Sequence, residues 1–131
     1  MCHKLWLSIL LALFLVCALA CNSQEGDRAA LDARKQNIIA FAKSGICTGN
    51  SQCRYIGLGS KACGGPQQIL VYSASLDTVK LLKMILQYNA DEDRYNRKWG
   101  VISDCSLPTS PDSVVCLNGA CVGYRNGVPK Q

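Results

Sequence analysis

Nine cysteines constrain the fold of this 131-residue chain more than any other feature. Three of them, at positions 2, 17 and 21, lie in the N-terminal segment, and the other six are Cys47, Cys53, Cys63, Cys105, Cys116 and Cys121. Six cysteines make three disulfides with none left over, and disulfides persist in oxidising compartments. We therefore expect an exported domain with three cross-links, each worth about 2–4 kcal/mol. Six cysteines allow fifteen pairings, so their number alone does not define the connectivity.

Structural zinc is the other common use of clustered cysteines. Among the six cysteines of the domain, the closest pair is Cys116 and Cys121, with four residues between them, and the chain contains no Cys-x-x-Cys pair. That spacing, together with export, favours disulfides over zinc. The chain also lacks a P-loop, a Gly-x-Gly-x-x-Gly fingerprint and an EF-hand loop. We predict no metal and no cofactor.

Residues 1–20 are typical of a secretory signal peptide. A basic head, Met1 to Lys4, precedes an apolar run from Leu5 to Ala20 that is broken only by Ser8. This run is short for a bilayer-spanning helix, which needs about 20 residues. Small residues stand at positions 18 and 20, where signal peptidase requires them. The pattern predicts cleavage after residue 20, with a retained signal anchor as the less favoured alternative.

The stretch Ala18-Leu19-Ala20-Cys21 resembles the lipobox of bacterial lipoproteins. The resemblance implies that Cys21 carries diacylglycerol on its sulfur and an acyl chain such as palmitate on its amine. It also implies anchoring in a bacterial cell envelope, and Asn22 after the cysteine implies sorting to the outer membrane in a Gram-negative source. The usual lipobox has Leu at the first of these positions and a small residue at the second.

Because Ala18 and Leu19 differ from the usual lipobox residues, cleavage by the ordinary signal peptidase is the alternative. That cleavage would give a soluble secreted factor. The number of cysteines bears on this choice. A lipidated Cys21 leaves six cysteines to pair, whereas a free Cys21 leaves seven and one of them odd. An unpaired cysteine is expected to form a disulfide with a second chain. The even count therefore favours the lipid anchor.

The predicted mature chain divides into a lipid-anchor cysteine with a polar tether, residues 21–26, and a disulfide-rich domain, residues 27–131. The domain is expected to be a small α+β domain with two helices, a short sheet and a C-terminal β-hairpin. A first helix spans 27–43 and buries Leu31, Ile38, Ile39, Phe41 and Ala42. Strands are predicted at 53–58 and 67–73, beside a loop rich in glycine.

A second helix is predicted from a cap at Ser75 or Asp77 to about Lys98, and Gly100 ends it. Its apolar face is expected to contain Val79, Leu82, Ile85, Leu86, Tyr88, Tyr95 and Trp99. After a proline-containing loop, residues 114–124 predict a hairpin that turns at Asn118-Gly119. This register places Cys116 opposite Cys121, and we predict a disulfide between them.

Catalysis is not expected. The only histidine is His3, inside the predicted signal peptide, so the mature chain lacks the commonest general base near neutral pH. Asp91, Glu92 and Asp93 form the densest acidic group, but adjacent helical residues point about 100° apart and do not converge on one bond. We interpret them as a solvated acidic turn. The chain is predicted not to be an enzyme.

The charge of the chain indicates a mildly basic surface. Lysine and arginine number 14 against 9 acids, and Lys4 leaves with the signal peptide, so the mature net charge is +4. The basic residues are scattered and not interleaved with aromatic residues, which argues against nucleic-acid binding. The expected partner is the membrane, reached through the lipid anchor, with a protein as a second partner.

The loop Gly57 to Gln68 suggests a sharper hypothesis. It places Lys61 next to Ala62 and just before Cys63, among several glycines. A disulfide-held loop with an exposed lysine is how many small inhibitors present a bond to a trypsin-like protease, since a preorganised loop loses little entropy on docking. We therefore keep three hypotheses: a lipid-anchored envelope protein with a binding or structural role, a serine protease inhibitor that presents Lys61-Ala62, and the soluble secreted factor named above.

Overall fold

The computed structural model describes the backbone of residues 2–130 and the side chains of residues 23–130. The elements in chain order are α1 (Cys2–Lys43), a 3₁₀ turn (Asn50–Gln52), β1 (Cys53–Leu58), β2 (Gln68–Ser73), α2 (Thr78–Trp99), β3 (Ser113–Leu117), β4 (Ala120–Arg125) and β5 (Val128–Lys130). The predicted small α+β domain is confirmed. The predicted signal peptide, its cleavage after residue 20 and the modification of Cys21 lie outside the residues whose side chains are described.

The chain divides into two compact units, Met1–Ala30 and Leu31–Gln131. The first contains the N-terminal part of α1, which includes the segment 23–26 that was predicted as a tether. The second contains the end of α1 and every other element. Among the residues with described side chains, we find no helix with both the length and the apolar character needed to cross a membrane.

Two antiparallel sheets make up the β structure. β1 pairs with β2 along their whole length, from Cys53↔Ser73 to Leu58↔Gln68. The second sheet has the order β3-β4-β5, and each of its two turns is an Asn-Gly dipeptide with positive φ at both residues. Positive φ at two central residues is the geometry that Asn-Gly favours. The turn at Asn118-Gly119 was predicted, whereas the same dipeptide at Asn126-Gly127 was overlooked, and β5 with it.

The hydrophobic core lies between the helices and one face of the first sheet. Leu58 and Leu70 point from β1 and β2 towards Ile38 of α1 and Ile85 of α2, and all four side chains are buried. The opposite face of the first sheet meets the second sheet, with β1 beside β3 and β2 beside β4. The second sheet approaches closely because Gly123 of β4 has no side chain: a β-carbon there would lie 3.3 Å from Cγ2 of Val71 and 3.2 Å from Cβ of Pro111.

Helix α2 begins and ends as predicted, but its buried face differs. Asp77 caps the helix by accepting a hydrogen bond from the Lys80 N–H at 2.9 Å, and Gly100 ends it in the left-handed conformation. The buried side chains are those of Leu81, Ile85, Tyr88, Glu92 and Asn96. At 100° per residue these five share one stripe of the helix.

Three residues predicted for the buried face of α2 are instead exposed. Val79 is 77% exposed, Leu82 39% and Leu86 68%. They lie on a stripe more than 90° from the buried one, since they follow a different set of 3- and 4-residue steps. The prediction was correct for Ile85 and Tyr88 and wrong for these three, because apolar character alone does not show which of two apolar stripes packs against the core.

Three disulfides use all six cysteines of the domain: Cys47–Cys116, Cys53–Cys121 and Cys63–Cys105. The predicted Cys116–Cys121 disulfide is therefore wrong, although the two residues are opposite each other in the predicted register. Directly opposed residues of a hairpin point to the same face of the sheet. Here that face meets the segment entering β1, so each cysteine bonds to a sulfur across the layers rather than to its neighbour.

Candidate functional site

A groove with a volume of about 730 Å³ runs along β2. β2 forms its base, Ile39 and Lys43 of α1 stand on one side, and β4 with the loop from Pro108 to Pro111 stands on the other. Lys130 of β5 closes one part of the rim. The groove therefore belongs to three separate stretches of the chain, which the disulfides and the sheets hold together.

An unpaired strand edge borders this groove. β2 hydrogen-bonds to β1 alone among the described strands. The Ala74 N–H donates to the Gln52 carbonyl at 2.7 Å, which extends the β1–β2 ladder by one pair. Because bonded and non-bonded pairs alternate in an antiparallel ladder, Ile69 and Val71 direct their backbone N–H and C=O groups away from β1. Those groups therefore face the free edge of the sheet.

The charged side chains in the described lining of the groove are all cationic. Its described lining residues include Lys43 and Lys130 but no aspartate or glutamate. The rest of the lining is mainly apolar or neutral, with Ile39, Leu70 and Val122 among its members. Cationic side chains beside a concave, mainly apolar site favour ligands that carry negative charge.

The predicted inhibitory loop has a different environment from the one that inhibition requires. Ala62 is exposed, but the Lys61 side chain is only 11% exposed. The Lys61 Nζ donates to Oδ1 of Asp104 at 2.8 Å, to Oγ of Ser106 at 3.2 Å and to the Ser106 carbonyl. A protease that binds lysine in its specificity pocket needs this ammonium free. The structure therefore gives the Lys61-Ala62 hypothesis no support.

The contact with Lys61 also changes the acidity of Asp104. The Lys61 ammonium, with further hydrogen bonds from Ser106, lowers the pKa of the Asp104 carboxyl from 3.8 to about 2. Because the pKa is lower in the folded state, this pairing stabilises the fold above the unfolded pKa and loses its effect as the pH falls from about 4 towards 2.

We expect Lys61→Met to return the pKa of Asp104 towards 3.8, since the replacement removes the largest cause of the shift. The measurement is an NMR titration of the Asp104 carboxyl carbon between pH 1.5 and 6. Lys83→Met, a change on α2, is the matched control and should leave the pKa of Asp104 near 2. An unchanged titration in Lys61→Met would show that the pairing is absent in solution.

Polar residues of α2 fix the start of the same loop. The Asn89 carboxamide accepts from the Gly59 N–H at 2.7 Å, and Oε2 of Glu92 accepts from the Ser60 N–H at 2.7 Å. The Asn96 carboxamide donates to the Ser60 carbonyl at 2.7 Å. Gly59 has φ of +91°, and a β-carbon there would lie 2.7 Å from the Glu92 carboxyl, so only glycine fits. We call these contacts the α2 clamp.

The α2 clamp corrects the interpretation of the acidic turn. Glu92 is 1% exposed and was wrongly assigned to a solvated group. Its Oε1 accepts a hydrogen bond from the Tyr88 hydroxyl at 3.1 Å. Asp91 forms ion pairs with Arg34 and Arg94, so the three consecutive acids serve separate contacts rather than one site.

The sulfur atoms of Cys47, Cys53 and Cys121 lie within 4.8 Å of one another. Such a group could ligate a soft metal as thiolates, but all three sulfurs are in disulfides. Two disulfides are thus packed side by side where the second sheet meets β1. This cross-linked junction supports the second-sheet side of the groove, because Cys121 belongs to β4.

Fold and groove together define a small disulfide-linked α+β domain with an open sheet edge beside a cationic groove. The chain matches no protein-family model, no curated protein and no solved structure.

The sequence interpretation missed the residues of the groove. Ile69 and Val71 were assigned to a buried strand, with no indication that their backbone groups were unpaired. The one available cue was Asn126-Gly127, which predicts β5 and thereby a second sheet wider than the first. Lys43 and Lys130 are remote in sequence, and only the fold brings them to one groove.

Proposed function

We propose that this chain is an exported, lipid-anchored protein with a non-catalytic binding role at a bacterial cell envelope. The groove along β2 carries the proposal for binding, because it combines an unpaired backbone edge, an apolar lining and a cationic rim. Most ligand sites are largely preformed concavities with a few placed polar groups. The disulfide framework suits this role, since a fixed groove loses little entropy when a partner binds.

The pairing of the cysteines supports the anchor. The six cysteines of the domain pair with one another, so none of them is available to Cys21. Cys21 is therefore left without a disulfide partner in the domain, and lipidation at the sequence Ala18-Leu19-Ala20-Cys21 accounts for it. Two or more acyl chains give stable anchoring, since each buried methylene contributes about 0.8 kcal/mol.

The absence of histidine from the predicted mature chain supports a binding role over catalysis. The three acids 91–93 have separate contacts, and the groove lining offers no carboxylate to act as a base. Binding needs only the backbone edge, the apolar lining and the two lysines.

The intact mass of the protein from its native host tests the anchor directly. We expect loss of residues 1–20, a diacylglycerol adduct at Cys21 with an acylated amine, and six thiols that appear only after reduction. In Cys21→Ser the protein should leave the detergent-rich phase for the aqueous phase. Cys17→Ser, a matched change inside the predicted signal peptide, should remain membrane-bound. An unmodified Cys21 on a soluble chain would instead identify a secreted factor.

A further inference from the structure

We propose that the groove takes an extended, acidic peptide segment of another protein, which adds to the free edge of β2 as a third strand of the first sheet. This inference rests on the binding role proposed above and names the class of partner. Strand addition is a recurring mode of peptide recognition, in which backbone hydrogen bonds supply affinity and alternate side chains supply selectivity.

The first argument is the space beside β2. The first sheet has two strands and the second has three. Since β2 lies beside β4, the position next to β2 faces the outer part of the second sheet, where Lys130 of β5 reaches the groove. Ile39 and Ala42 of α1 border the same position from the other side. A strand placed there would be covered on both faces.

The second argument is the backbone. Ile69 and Val71 each direct one N–H and one C=O to the free edge, and none of these groups has a hydrogen-bond partner among the contacts of the described residues. Four hydrogen-bonding groups at alternate residues match the repeat of one strand. A segment of about four or five extended residues would satisfy all of them.

The third argument is charge. The groove has Lys43 and Lys130 on its rim and no described acidic residue in its lining. Since alternate side chains of a strand face opposite ways, the apolar side chains of the added strand would contact either Ile39 or Val122, and its acidic side chains would reach the lysine on the other side. The predicted mature chain is itself basic, which disfavours a second copy of this protein and favours an acidic partner.

The peptide experiment uses capped peptides of about seven residues that alternate valine and glutamate, with fluorescence anisotropy as the readout. The protein is the full mature chain in detergent. We expect saturable binding, and binding at least about tenfold weaker for the same peptide with lysine in place of glutamate. Two N-methylated versions carry the methyl groups either on every valine nitrogen or on every glutamate nitrogen.

The N-methylated peptides separate strand addition from simple groove filling. In an added strand, alternate N–H groups point to the protein and the others point to solvent. One methylation pattern should therefore abolish binding and the other should preserve it. Equal binding by both versions, or equal loss in both, would overturn the inference.

Variants of the protein test the same edge. Ile69→Pro removes an N–H that makes no bond to β1, and prolines are tolerated at such edge positions. We expect at least about a tenfold loss of peptide affinity. Tyr55→Pro, on the outer edge of β1, is the matched control and should bind normally. Circular dichroism checks the fold of both.

Charge reversal gives a second test that does not depend on proline. Lys43→Glu with Lys130→Glu should reject the glutamate peptide and accept the lysine peptide. Lys83→Glu lies on α2 away from the groove lining and should retain the original preference. An unchanged preference in the double variant would overturn the acidic partner.

Two further outcomes would also count against the inference. If the protein forms dimers that the peptide disrupts and that Ile69→Pro abolishes, the occupant of the groove is a second copy of this chain. Failure of every peptide to bind wild-type protein at about 1 mM would remove strand addition altogether. Neither result depends on Cys21, whose mass tests the anchor separately, so loss of the strand-addition inference and loss of the anchoring proposal remain distinguishable.

Discussion

Removing the Cys47–Cys116 and Cys53–Cys121 disulfides together, by four cysteine-to-alanine changes, is expected to lower the free energy of unfolding by about 6 kcal/mol. This loss is comparable with the whole stability of a small domain, about 5–15 kcal/mol. Removing either disulfide alone should cost only about 3 kcal/mol. The second removal is therefore expected to cost more than the first.

The reason is the interleaved order of the two disulfides. Each spans nearly 70 residues, with separations of 69 and 68, but the intact Cys63–Cys105 disulfide shortens the ring that each closes on its own to about 27 residues. When one is present, however, the other closes only a short ring, because Cys47 is six residues from Cys53 and Cys116 is five from Cys121. Closing a ring of about eleven residues saves about 2.8 kcal/mol of loop entropy, against about 3.6 kcal/mol for the ring of about 27 residues.

Urea unfolding of the wild type, the two variants that lack one disulfide and the variant that lacks both gives the free energy of unfolding of each protein. Their differences give the coupling between the two disulfides. Independent disulfides would give two single losses of about 3.6 kcal/mol each and a double loss equal to their sum. That pattern would contradict the interpretation of one shared junction. The Cys63–Cys105 disulfide stays intact in every variant and keeps the outer loop closed.

Replacing Glu92 by alanine is expected to destabilise the domain by about 3 kcal/mol. Glu92 is buried in the α2 clamp, where its two oxygens accept hydrogen bonds from the Ser60 N–H and the Tyr88 hydroxyl. Removing the carboxyl group leaves both donors buried without it and opens a cavity beside Gly59. The measurement is the free energy of unfolding in urea with all disulfides intact.

Two variants control this result. Asp93→Ala changes the neighbouring acid on the same helix and removes only its ion pair with Arg97, so we expect a change within about 0.5 kcal/mol. Glu92→Gln keeps the shape: its oxygen can accept from Ser60 while its NH₂ donates to the Tyr88 hydroxyl, which leaves a loss of about 1 kcal/mol. Equal effects of Glu92→Ala and Asp93→Ala would show that the buried contacts do not stabilise the fold.

The limits of α2 followed from local chemistry, but its orientation did not. Asp77 and Gly100 define the two ends through side-chain and backbone hydrogen bonds that depend on nearby residues only. Which stripe is buried depends on what the helix packs against. Glu92 and Asn96 are buried because the loop after β1 offers them backbone partners, and those partners lie more than 30 residues away in the chain.

For the cysteines too, local sequence predicted one part of the structure and tertiary packing decided the other. Their even number predicted three disulfides, since that argument depends only on counting and on the compartment. Their connectivity depends on how the two sheets stack, and the hairpin register alone suggested the wrong pair. Likewise, the strand at Ile69 and Val71 was predictable from its composition, whereas its free edge depends on which strands fail to pair with it.

The way Lys61 is held has a consequence for the sensitivity of this loop to proteases. A protein in a secretory or envelope compartment is exposed to digestive enzymes that cut after basic residues, and a glycine-rich surface loop is where such cuts usually start. Here the lysine is bonded to Asp104 and Ser106, the next residue but one is cross-linked to Cys105, and Ser60 is bound by α2. Cutting after Lys61 requires the loop to break its hydrogen bonds with Asp104, Ser106 and α2 while the disulfide still restrains it, so we expect this stretch to be cut slowly.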